Sequence, residues 1–73
     1  MLVEKKIIKI LKSINKNIKF ELTLSDQLDS MQFLSCIVDI EKTFMIKIKE
    51  KEIKISNFKN INSIKKLINE KKK

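Results

Sequence analysis

The chain has no glycine, proline, histidine, tryptophan, tyrosine or arginine, and Cys36 is its single cysteine. Each absence excludes something. One cysteine rules out a disulfide within the chain, and with no histidine a structural zinc site has no ligand set. An unpaired thiol suits a reducing compartment, and a cytoplasmic location is the expectation. Without glycine or proline, turns fall to Asn, Asp, Ser and Lys. No apolar run is long enough to span a bilayer. The opening "MLVEKKIIKILKSI" interrupts its apolar residues with lysine too often for a signal peptide.

What is present is lysine. All 17 basic residues are lysine, and the net charge is +8 over 73 residues. A basic balance of this size raises nucleic acid as a partner. Bidentate phosphate and base recognition favours arginine, however, and four Phe are the only aromatic residues available for base stacking. The lysine-rich ends therefore read as solvated surface, and no nucleic-acid partner is expected. A small basic helical nucleic-acid-binding protein stays the alternative from a different class. The charge is also uneven: residues 1–19 carry +5, residues 20–46 carry −4 and residues 47–73 carry +7.

The length predicts one domain spanning 1–73. Val3, Ile7, Ile10, Leu11 and Ile14 recur at helical spacing, which predicts an amphipathic helix over about 2–15. Residues 16–29 hold no sustained period. They read as a long loop that pins Phe20, Leu22 and Leu24 onto the helices. Residues 30–44 are the most periodic helix. Asp29 at the N-cap and Gln32 three residues on form a capping-box pattern. Residues 45–55, "MIKIKEKEIKI", alternate like a strand at Ile46 and Ile48, and the stretch reads as an irregular piece. A last helix covers about 61–70 behind Asn60 as N-cap, with "EKKK" frayed at the end. Helices with one apolar stripe each imply an all-α bundle. Leu34, Ile37, Ile40 and Phe44 are the expected core face of the middle helix, against Ile7, Ile10, Leu11 and Ile14 and against Ile64 and Leu67. Phe33 is expected in the core and Cys36 half-buried.

The stretch "LDSMQFLSCIVDIEKTFMIKI", residues 28–48, resembles the attachment region of acyl and peptidyl carrier proteins. Leu28-Asp29-Ser30-Met31 is followed by apolar positions at Leu34, Ile37 and Ile40, then Glu41, Phe44, Ile46 and Ile48. "NFKNINSIKKLI", residues 57–68, is similar to the passage between that family's third and fourth helices. The resemblance implies a small four-helix bundle with three main helices and one short helix. It implies a monomeric, non-catalytic carrier whose Ser30 takes a covalent 4′-phosphopantetheine arm from coenzyme A. Asp29 would sit beside that reaction and contact the transferase or its metal. Met31, Val38, Asp39 and Glu41 would meet partner enzymes on an acidic-to-neutral surface. Those partners are a phosphopantetheinyl transferase, a ligase or adenylation enzyme that loads an acyl or aminoacyl group, and a downstream synthase, condensing or transferase enzyme. The "LDSM" form is more similar to stand-alone carriers of specialised biosynthesis, or to D-alanyl carriers, than to the fatty-acid carrier.

Two positions depart from the family pattern. Gln27 and Met45 stand where many members have glycine. A left-handed residue other than glycine costs roughly 1–2 kcal/mol, so the middle helix is expected to end another way at Met45. For Ser30 itself, an ordinary first-turn serine is the plain alternative to a point of attachment. Both uses want the same helix N-terminus, with its free N–H groups and positive dipole end.

Overall fold

The computed structural model describes residues 2–72 and contains three α-helices and, among those residues, no strand. They are α1 (Leu2–Ile14), α2 (Ser30–Phe44) and α3 (Ile61–Lys71). Single 3₁₀ turns occupy Ser25–Gln27, Glu50–Glu52 and Ile55–Asn57. The all-helical bundle thus has three α-helices. The interval between α2 and α3 holds two 3₁₀ turns and no fourth α-helix. Met1 and Lys73, the ends of the expected 1–73 domain, lie outside the described residues. The tail expected to fray from residue 70 stays helical to Lys71.

α1 is the helix that packs against both others. It buries Ile7, Ile10 and Leu11. α2 buries Cys36, Ile37, Ile40 and Phe44, and α3 buries Ile64, Leu67 and Ile68. Four residues between helices complete one continuous core: Ile18 and Leu24 from the first loop, and Ile48 and Phe58 from the second. Phe33 is partly buried and meets the Phe58 ring edge-on at 5.2 Å. The first loop pins itself to the core as expected through Leu24 and, in part, Phe20, but Leu22 faces solvent.

Three expectations for α2 and its end are corrected. Leu34 is 56 % exposed and takes no place in the core face. Ile37, Ile40 and Phe44 lie in the shared core, and Leu34 projects beyond its edge. Cys36 is fully buried rather than half-buried. Met45 adopts the left-handed conformation, φ 55° and ψ 49°, and ends the helix in the manner that glycine usually does. Its N–H and that of Ile46 both donate to the Glu41 carbonyl, the second at 3.1 Å.

Side chains close the backbone ends that this glycine-free chain leaves open. Asn60 Oδ1 accepts the Ser63 N–H at 2.8 Å, the expected cap of α3. Glu52 Oε1 accepts both the Lys49 N–H, at 2.8 Å, and the Lys71 ammonium, at 2.9 Å. That carboxylate therefore fastens the second loop to the end of α3. Glu4 and Lys65 pair at 2.9 Å between α1 and α3. Both carboxyls are held below the usual carboxylate range, first by these lysine hydrogen bonds.

Candidate functional site

The start of α2 is built by side chains acting on backbone. Asp29 is extended, with φ −78° and ψ 177°, and its Oδ1 accepts the Gln32 N–H at 2.8 Å. Gln32 Oε1 accepts the Asp29 N–H at 3.1 Å, completing the capping box. The Gln32 Nε2 donates on to the carbonyl of Ile14, at the end of α1, at 3.4 Å. Asn15 reinforces that join by donating its Nδ2 to the Gln27 carbonyl at 3.3 Å. The first turn of α2 is therefore fixed against the last turn of α1.

Ser30 is the first residue of α2 and is exposed. It borders a depression of about 180 Å³ whose apolar walls are Leu28, Phe33 and Ile55. Ser25 stands in the same wall. Its Oγ is buried and has no hydrogen-bond partner among the described residues. The hydroxyl of Ser30 thus combines access to solvent, a fixed backbone and an adjacent apolar surface. Asp29 uses one carboxylate oxygen for the cap, and no hydrogen bond to Oδ2 occurs among the described residues.

The other residues singled out in the sequence divide into two groups. Met31, Val38 and Asp39 line one groove between α1 and α2. Met31 is 75 % exposed and Val38 44 % exposed. Glu41 points to a different task. Its Oε2 accepts the Ile48 N–H at 2.8 Å and holds the loop after Met45 against α2. Leu34 reads from the sequence as core, because its spacing matches the core positions. It lines the same groove as Met31 and Val38.

Cys36 stays apart from this site. Burial, and secondly the Asp39 carboxylate, push its thiol up to about 11. It is therefore a poor nucleophile at neutral pH. Among the described residues no cluster of three or more His, Cys, Asp or Glu could hold a metal ion. No helix there is long and apolar enough to cross a membrane. No family model matches the chain, and no curated protein or solved structure is significantly similar to it.

Proposed function

We propose that the chain is a stand-alone acyl or aminoacyl carrier protein, bearing a 4′-phosphopantetheine arm on Ser30. The observation that carries the reading is the position of Ser30. It is the exposed first residue of a well-capped helix, at the lip of an apolar depression, within the stretch that resembles the carrier attachment region. A phosphodiester at that point faces the free N–H groups and positive dipole end of α2. Leu28, Phe33 and Ile55 offer the first carbons of the arm an apolar wall.

In this reading Ser30 Oγ attacks the β-phosphate of coenzyme A inside a separate phosphopantetheinyl transferase, which takes the proton. The adenosine bisphosphate half of coenzyme A leaves. Asp29 keeps the cap with Oδ1 and offers Oδ2 to the transferase or its metal. The arm's terminal thiol then holds cargo as a thioester, loaded by a ligase or adenylation enzyme and consumed by a downstream synthase, condensing or transferase enzyme. The carrier itself does no chemistry, and the reading places it in the cytoplasm, in specialised-metabolite biosynthesis. A fatty-acid or D-alanyl carrier is the variant of the same reading with different cargo. The 3₁₀ turn at Ile55–Asn57 would stand where the family has its short helix.

The test is mass spectrometry after incubation with coenzyme A and a broad-specificity transferase. One arm is expected on the parent and none on Ser30→Ala. Ser30→Ala should keep its helicity, because Asp29 and not Ser30 supplies the cap. An arm on another serine, or none with several transferases, overturns the proposal.

A further inference from the structure

We infer that the groove between α1 and α2 is a docking surface for an acidic amphipathic helix of a partner protein. Scattered exposed apolar side chains need no explanation, but a contiguous stripe does. Met31, Leu34 and Val38 form such a stripe at helical spacing along α2. Ser13 and Ile14 of α1 face them across a groove of about 560 Å³. Ser13 and Asp39 also line a second stretch of about 400 Å³, which continues between Lys6 and Lys9 of α1 and Thr43 of α2. The two stretches therefore make one channel. From Met31 to Thr43 the α2 rise is about 18 Å, room for roughly three turns of a docked helix.

The channel is polarised. Its Ser30 end is apolar. Its far end is cationic, with Lys6 and Lys9 on α1. Lys6 is held there, its Nζ 5.9 Å from the centre of the Phe44 ring. Asp39 is the one acidic residue lining the channel. An occupant must bring apolar side chains at i, i+3 or i+4 for the stripe and carboxylates for the lysines. A second copy of this chain is a poor match, since it brings the same two lysines and a net charge of +8. Nucleic acid leaves the apolar half unused. A bilayer is flat, whereas the stripe is flanked by α1 and fits a rod. The inference goes beyond the carrier reading. It shares Met31 and Val38 with that reading, but nothing in it requires Ser30 to be modified.

The experiment titrates the 15N-labelled full chain, unmodified, with a helix-forming synthetic peptide bearing a leucine stripe and glutamates along one flank. A second peptide has lysine at every glutamate. Saturable amide shifts are expected at Lys6, Lys9, Met31, Leu34 and Val38. The glutamate peptide should bind roughly tenfold tighter than the lysine peptide. Ser30→Ala should give the same isotherm, so failure of arm attachment would leave this result standing. Val38→Asp, or Leu34→Asp should the first fail to fold, should abolish binding. A Lys6→Glu, Lys9→Glu double variant should reverse the preference between peptides. Equal affinity for both peptides, shifts confined to other faces, or no saturable binding to either overturns the inference. So does binding to phosphatidylglycerol vesicles through Val38 and Leu34 with neither peptide bound, which would make the stripe a membrane contact.

Discussion

The side-chain amide of Gln27 clasps the peptide of Lys19 at both ends. Its Oε1 accepts the Lys19 N–H at 2.8 Å, and its Nε2 donates to the Lys19 carbonyl at 2.8 Å. The same Nε2 donates to the Thr23 carbonyl at 3.2 Å. One side chain thus ties together three points of the loop before Ser30, beside the Asn15 hydrogen bond and the buried Leu24 that also hold it.

Gln27→Gly should therefore destabilise the fold, by roughly 1–2 kcal/mol from lost hydrogen bonds and added backbone freedom. Urea unfolding of parent and variant measures it. Equal midpoints would mean that the clasp contributes nothing to stability.

Phe44 and Leu34 should separate cleanly. Phe44 is buried among the helices, so Phe44→Ala should cost roughly 3–5 kcal/mol, enough to unfold a domain of this size. Leu34→Ala should stay within about 0.5 kcal/mol of the parent, because that side chain is mostly in water. Thermal melts of the two variants decide it. A Phe44→Ala chain that melts like the parent would place the core elsewhere.

Met45 is 90 % exposed and left-handed, so its side chain gives little packing in return for its backbone strain. Met45→Gly should stabilise by about 0.5–1 kcal/mol, the relief of strain being partly offset by glycine's freedom in the unfolded chain. Met45→Val should destabilise. If glycine gave no gain in denaturant midpoint, the helix would have to end differently in solution.

Acid should loosen the second loop. Lys71, and then the Lys49 N–H, hold the Glu52 carboxyl below its ordinary value of 4.5. Glu4 is lowered likewise by Lys65. A carboxyl lowered on folding stabilises the folded state above its unfolded pKa. That contribution is lost as pH falls from there through the folded value. The melting temperature should thus drop as pH falls below about 5, and less steeply in Glu52→Gln. Parallel slopes for parent and variant would remove Glu52 from the account.

The three helices were legible because each carries an apolar stripe of helical period, and two of the caps were legible as Asp29 with Gln32 and as Asn60. The α2 core face was legible only in part. Its apolar residues run more than halfway round the helix, and spacing alone does not say which arc the neighbours cover. That is why Leu34 looked like Ile37. The strand-like alternation of Ile46 and Ile48 misleads for a related reason. Burial of Ile48 is real, but the N–H that a sheet partner would have bonded goes to the Glu41 carboxylate instead. Glu41 looked like a surface acid, since nothing local shows that a loop seven residues on will return to it. Ile18 and Phe58 enter the core from segments without any period, where only the tertiary fold assigns a direction.

Cys36 has a practical use. The only sulfhydryl of the polypeptide is sealed inside the core, with its proton held up to about 11. A maleimide added to the folded chain at neutral pH therefore meets silence, and each adduct formed slowly thereafter marks a molecule that has opened. The labelling rate, compared with that of a denatured sample, becomes a clock for global unfolding that needs no engineered probe. Any sulfur that reacts at once under native conditions belongs to something attached to the chain and not to the chain itself.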